Sequence, residues 1–269
     1  MVLFPLCKIN LGLSVLSKRS DGFHNIETCF YPVPWTDILE IIPGDKPAFT
    51  FSGSPISGKA EDNLCVRAQF LLKKDFGIPH IQLHLHKIIP SGAGLGGGSS
   101  DAAATLKTLN EIFSLRIDKE RLRSYASQLG SDCAFFIEPG PMLGRGKGEI
   151  LTSLPMSLKG KFLVLVTPDV HVSTAEAYGG VTLRKTKISV KEILAEPVGE
   201  WKDKLVNDFE ASVFLAHPIL MHIKQRFYEL GALYASMSGS GSAVFGLFDE
   251  VKDSENAFPG IKVWSGMLS

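Results

Sequence analysis

Apolar and polar side chains alternate, or run apolar, from residue 2 to residue 16, which predicts an opening strand or hairpin arm. A period of two places Lys8 and Asn10 on one face of it, with Ile9 and Leu11 between them. Further strands are predicted at Ile26–Tyr31 and Ile38–Ile42, with Pro32, Pro34 and Asp45 marking turns. Leu64, Ala68, Leu71 and Leu72 recur at helical spacing over 61–76, and Gly77 lies just beyond. Ile81 to Lys87 alternates like a half-exposed strand. A helix is expected to about Phe113, and another capped by Asp118 and closed by Gly130. In the second half, strands at 162–166, 233–237, 243–248 and 261–264, with helices at 203–216 and 219–230, predict an α+β sandwich of one sheet and one helical layer. Ser173 and Glu176 have capping-box spacing and begin a short helix that presents Tyr178 one turn later.

Between the strand at 81–87 and the following helix lies Pro90-Ser91-Gly92-Ala93-Gly94-Leu95-Gly96-Gly97-Gly98-Ser99-Ser100-Asp101, with five glycines in seven residues. Bare glycine amides can close on an anion, and the first N–H groups of a helix lack carbonyl partners and carry the positive end of its dipole. A phosphate is the natural occupant. The Walker pattern fails, because Gly98 is followed by Ser99 rather than by Lys. Gly92, Gly94 and Gly97 match G-x-G-x-x-G, but the preceding strand is not the buried apolar run that a dinucleotide fold needs. A purely structural turn seldom requires so many glycines.

The chain has 269 residues, 45% of them hydrophobic, enough for one large core or two smaller ones. No apolar run approaches a membrane span, and Pro5 interrupts the N-terminal apolar run where no basic leader stands, so no secretory signal is expected. Lys plus Arg and Asp plus Glu balance at 28 each, which gives no general field for nucleic acid or an anionic membrane. No obligate protein partner is evident. Cys7, Cys29, Cys65 and Cys133 are widely spaced, without a zinc or disulfide pattern, so a cytoplasmic setting is expected.

Several side chains carry two readings. Lys8 and Asn10 belong either to a solvated strand face or to a site. Phe23 and His24 follow an Asp-Gly turn, where an aromatic plane and a two-faced donor and acceptor can meet a ligand. His80, His84 and His86 share a strand face; a solvated face is the default and a metal site the alternative, and no metal ligand is assigned. Asp132 stands just before the apolar run Cys133-Ala134-Phe135-Phe136 and is either a cap or a functional acid. Glycines 140, 144, 146 and 148 read as hairpin punctuation, with Arg145 and Lys147 solvated. Arg184, Lys185, Lys187 and Lys191 read as a solvated charge cluster.

Taken together, Lys8-Ile9-Asn10-Leu11, Pro90 through Ala104 and Ser236 through Ser242 resemble the three motifs of the galactokinase, homoserine kinase, mevalonate kinase and phosphomevalonate kinase (GHMP) superfamily. Within it, Arg19 through His24, Gly94 through Ser100, Gly130-Ser131-Asp132 and Asn207 through Glu210 resemble the branch acting on a cytidine diphosphate-linked methylerythritol in non-mevalonate isoprenoid synthesis. The resemblance implies a two-domain GHMP kinase fold of the α+β class: residues 1–158, like the second domain of ribosomal protein S5 with a left-handed crossover, and a ferredoxin-like domain at 159–269. It implies ATP and Mg²⁺ as cofactors and the 2-hydroxyl of the small-molecule substrate as acceptor. Lys8 and Asp132 are then the catalytic pair, and Pro90 to Ser100 hold ATP with Lys87 beside the adenine pocket. Ser99 or Ser100 would reach Mg²⁺. Phe23 and His24 would hold the cytosine, with Asn10, Thr174 and Tyr178 lining the substrate groove. Cys7, Phe23 and Asp101 stand where this branch commonly has Ala, Tyr and Asn, and Asp101 adds a negative charge to the helix's first turn. The alternatives are another kinase of the superfamily, of homoserine or mevalonate type, or a nucleotide-binding module without transfer.

Overall fold

The computed structural model describes residues 1–56, 58–181, 183 and 188–268. Its first elements are β1 (Val2–Leu3), β2 (Leu6–Lys18), β3 (His24–Thr36), β4 (Ile38–Pro43), β5 (Ala48–Gly53), α1 (Leu64–Phe76), β6 (Ile81–Lys87), α2 (Gly97–Ile112) and α3 (Lys119–Leu129). A 3-10 turn at Cys133–Ile137 leads to β7 (Met142–Arg145), β8 (Ile150–Ser153), β9 (Phe162–Thr167), α4 (Thr174–Gly179) and α5 (Val190–Leu194). Then come α6 (Glu210–Ala216), α7 (Pro218–Glu229), β10 (Tyr234–Met237), β11 (Val244–Phe248), α8 (Ser254–Ala257) and β12 (Lys262–Met267). Arg184, Lys185 and Lys187 lie outside the described residues.

Two compact units form, each from separate stretches of chain. The first takes Met1–Lys8, Trp35–Ser91 and Gly96–Gly140; the second takes Ile9–Pro34, Gly92–Leu95 and Pro141–Ser269.

In the first unit the sheet runs β1-β4-β6-β5, antiparallel except for the parallel pair β5 and β6. Helix α1 packs on α2, and α2 on the turn at 133–137. The expected ends are present, with Asp118 accepting from the Arg121 amide (2.8 Å) and Gly77 ending α1 in the left-handed region, and Asn63 adds a cap that was not expected, accepting from the Cys65 amide (2.9 Å). On β6 the buried face is Ile81, Leu83, Leu85 and, unusually, Lys87.

In the second unit β10-β11-β9-β12 form an antiparallel sheet, backed by α7. The other sheet has the order β2-β3-β7-β8. Leu13, Val15 and Ile26 join Val164, Val166, Phe227 and Val244 in one core.

Three local expectations are corrected. Strand β3 runs through Pro32 and Pro34 instead of turning there. Its pairing with β7 covers only Thr28, Cys29 and Phe30, so beyond them the prolines break no ladder bond on that side. The helix expected from 203 begins only at Glu210, because residues 206–208 pair with β2: the Leu13 amide donates to the Val206 carbonyl (2.9 Å), and the Asp208 amide to that of Leu13 (2.8 Å). At α4 only half of the capping box forms. Ser173 caps the Glu176 amide, while the Glu176 carboxylate bonds His217 Nε2 at 2.8 Å. A complete box stands at Ser189 and Glu192, where none was expected.

Candidate active site

The glycine run delivers the backbone it promised. Gly92, Gly94 and Gly96 hold φ of +70°, +75° and +69°, and α2 starts at Gly97 with no side-chain cap. The first amides of α2 are therefore free of competing side-chain acceptors among the described residues. In the second unit a Cβ on Gly94 would lie 2.0 Å from the Ser238 carbonyl oxygen, so only glycine fits. Ser238 Oγ donates to the Gly94 carbonyl (2.9 Å), and the Ala243 amide donates to that of Ala93 (3.1 Å). The small residues of the third motif thus hold the middle of the loop.

In the first unit, Lys8 and Asp132 come together. Lys8 Nζ lies 3.4 Å from Asp132 Oδ2, with Lys8 3% and Asp132 28% exposed. The solvated-face reading of Lys8 and Asn10 is overturned, since both are buried. The cap reading of Asp132 also fails, because its side chain makes no capping bond to the turn at 133–137. A Cβ on Gly96 would sit 3.2 Å from Lys8 Cε, so the Lys8 stem runs along the residue just before α2. Ser99 is half-buried beside Cys133; burial pushes that thiol up to about 11, with the Ser99 hydrogen bond pulling back. Ser100 is buried.

Lys87 also lies in the first unit. It pairs with Asp37 and, at 2.9 Å, with Asp101, and all three side chains are buried. Burial alone would depress the Lys87 ammonium; the Asp101 and Asp37 carboxylates reverse this and leave it above the ordinary lysine value. Burial pushes the Asp101 carboxyl up to about 7, against the pull of Lys87 and with the repulsion of Asp37. Asp101 is not in the first turn of α2: it is the fifth residue and faces inward. Beside the cluster opens a cavity of about 160 Å³ whose lining includes Ile56, Asn63, Leu64, Lys87, Ser91 and Gly98.

In the second unit the His24 ring stacks on Tyr178 (centroids 4.6 Å apart, planes 14° apart), and Tyr178 meets buried Phe209 edge-on. Phe23 is 56% exposed, with Lys147 Nζ 4.6 Å above its ring. Thr174 is exposed at the first position of α4. Asn10 donates through Nδ2 to Thr28 Oγ1 (3.0 Å), and its amide donates to Ser238 Oγ (3.2 Å).

Sequence reasoning missed Asp37 and Lys147, since Asp37 carried no motif and Lys147 read as solvated; Phe209 stood in a resembling stretch but was given no role. The only available hint was a lysine on the apolar parity of β6, which demands buried counter-charges. The strand histidines bond to neighbours: His84 to Thr50 Oγ1 (2.8 Å) and Ser52 Oγ (3.0 Å), His86 to Ser52 Oγ (2.9 Å), and His80 to Lys73 (3.0 Å). Among the described residues no group of three or more His, Cys, Asp and Glu could hold a metal, and no helix is long and apolar enough to cross a membrane.

Residues 63–140 match the GHMP kinases N terminal domain, and 189–259 match the GHMP kinases C terminal family. The chain is 50% identical over 271 residues to 4-diphosphocytidyl-2-C-methyl-D-erythritol kinase of Parabacteroides distasonis, covering 100% of both chains. It is 52% identical over 253 residues to the kinase of that name from Bacteroides thetaiotaomicron, covering 93% of this chain and 92% of the other. A crystal structure of 4-(cytidine 5'-diphospho)-2C-methyl-D-erythritol kinase superposes with TM-score 0.82 at 32% identity, covering 100% of this chain and 99% of that one. A mevalonate kinase structure at 13% identity and TM-score 0.74 shares the fold. With its uncapped glycine-loop helix, its lysine–aspartate pair and these full-length relatives, the chain belongs to the GHMP kinases and, within them, to the 4-diphosphocytidyl-2-C-methyl-D-erythritol kinases.

Proposed function

We propose that this chain transfers the γ-phosphoryl group of ATP to the 2-hydroxyl of 4-diphosphocytidyl-2-C-methyl-D-erythritol. The carrying observation is the Lys8–Asp132 pair at 3.4 Å, with the Lys8 stem against Gly96 of the glycine loop. Asp132 is half-exposed and not committed to a cap, which leaves its carboxylate able to take the hydroxyl proton. The Lys8 ammonium beside it favours the alkoxide as it forms. Phosphoryl transfer asks mainly for positioning and charge neutralisation, and the amides of residues 92–100 supply both.

His24, Phe23 and Tyr178 bind the cytosine. Aromatic planes stack on a base, and His24 offers a donor or acceptor to its edge. Asn10 and Thr174 line the path of the sugar alcohol. The adenosine end occupies the cavity beside Lys87, with Ile56 and Leu64 as apolar walls. Mg²⁺ fits the donor set as a metal carried in on the nucleotide: one carboxylate and the Ser99 hydroxyl suit an ion that keeps most of its bonds to phosphate and water, and it would neutralise charge on the transferred group. The four buried, separate thiols support a reducing, cytoplasmic compartment.

The test is to supply purified protein with ATP and, separately, the cytidine substrate, homoserine and mevalonate, and follow ADP release. The proposal expects kcat/KM for the cytidine substrate to exceed the others by about a thousandfold or more, because only that substrate has a base to stack. Comparable rates with homoserine or mevalonate would contradict it.

A further inference from the structure

Lys87 is the last residue of β6 before the phosphate loop, and Asp101 follows the loop directly. Their 2.9 Å ion pair ties the two ends of the loop together. Asp37, fully buried, accepts from Lys87 Nζ and, through Oδ1, from the amides of Ile88 (2.6 Å) and Ile89 (2.8 Å). One carboxylate therefore takes donors from three successive residues just ahead of Pro90. Gly97 lets the lysine pass: a Cβ there would lie 2.8 Å from Lys87 Nζ.

The arrangement is electrostatically odd. The ammonium lies beneath the positive end of α2, and a buried ion cluster is commonly no more stabilising than apolar side chains of equal volume. It does fix geometry. Donors and acceptors with short, directed bonds set where β6 ends and where α2 begins, which a greasy contact would leave free to slide.

We propose that Asp37 and Asp101, acting through Lys87, are positioning residues that hold both ends of the phosphate loop in register, so that its amides meet the nucleotide already arranged. The proposal rests on reading residues 90–100 as the ATP loop. A preorganised loop binds its anion without first being ordered, so loosening it weakens nucleotide affinity specifically.

The experiment compares the full chain carrying Asp37→Asn, Asp101→Leu or Asp101→Asn, measuring the Kd of the nonhydrolysable analogue AMPPNP by calorimetry alongside the melting temperature. Asp37→Asn keeps the shape but replaces one of two accepting oxygens by an NH2, so either Lys87 or the Ile88 and Ile89 amides lose their acceptor; Asp101→Leu keeps the volume and loses the acceptor; Asp101→Asn keeps the one acceptor that Lys87 uses. The first two are expected to weaken AMPPNP about tenfold while still melting cooperatively, and Asp101→Asn to stay within about threefold of wild type. Wild-type affinity in folded Asp37→Asn or Asp101→Leu overturns the proposal. Should Asp37→Asn fail to fold, the two Asp101 variants decide: equal affinities overturn it, and a tenfold separation sustains it. Because AMPPNP binding needs no acceptor, a wild-type protein that binds the analogue tightly but phosphorylates no cytidine substrate would sink the substrate assignment and leave this one intact.

Discussion

At the scale of single residues, the two halves of the chemistry are assigned to side chains whose ordinary structural duties are missing. Asp132 caps nothing, and Phe23 is an exposed aromatic held by a lysine. The His24–Tyr178 stack gives a quantitative expectation. Removing the imidazole forfeits about 0.5–1.5 kcal/mol of stacking and a hydrogen bond of about 1 kcal/mol. His24→Ala should therefore raise KM for the cytidine substrate roughly tenfold or more while KM for ATP moves less than about twofold. Steady-state kinetics with each substrate varied in turn checks this, and an unmoved cytidine KM would remove His24 from the base site. These residues were legible in sequence because each sits at a named place in a motif or turn. Lys147 was not, since a lysine between glycines gives no sign of the ring it will cover, and Asp37 was not, since nothing in Trp35-Thr36-Asp37-Ile38 announces a buried acceptor.

At the scale of elements, the glycine loop proposed to hold phosphate is held tightly by its neighbours. Gly94→Ala would force φ of +75° on alanine and drive a Cβ into the Ser238 carbonyl, 2.0 Å away. That variant should lose AMPPNP affinity by more than tenfold or fail to accumulate folded, as binding and circular dichroism would report. A remote element gives the contrast: Asp118→Ala removes only the cap of α3 and should cost about 1 kcal/mol, lowering the melting temperature by a few degrees with both KM values intact. Caps and periodic helices such as α1 and α3 were readable because their signals are local. The start of α6 was misplaced because Asn207 and Asp208 answer to β2 and to the third motif loop: the Asn207 amide group donates to the Met237 and Gly239 carbonyls, both at 2.8 Å, partners thirty residues away. Strand β5 was invisible for the same reason, as its reason to exist is a parallel neighbour more than thirty residues on.

At the scale of the whole molecule, the buried cluster of Lys87, Asp37 and Asp101 couples stability to pH. The Asp101 carboxyl is raised from 3.8 to about 7, so between these values the folded protein keeps a proton that the unfolded chain has released. The stabilisation contributed by this group is accordingly complete below the lower value and is lost as pH rises through the window. The elevated Lys87 pKa acts only in the alkaline range, far from it. Asp101→Asn cancels the slope and leaves Lys87 matched to Asp37 alone. Between pH 5 and pH 8 the wild type should lose several degrees of melting temperature relative to the variant, at roughly 2–4 °C per kcal/mol for a chain of this size. Parallel melts of the two proteins would expose a contradiction. The interleaving of distant segments into two units was beyond any reading of local pattern, since only contacts far apart in sequence define it. The account as a whole stands on Asp132 as the acceptor's base. Its most direct test is single-turnover transfer from ATP to the cytidine substrate by Asp132→Asn, beside AMPPNP binding to the same protein. The account predicts transfer slower by about 10²–10⁴-fold with analogue affinity within about threefold of wild type; transfer at close to the wild-type rate would contradict it.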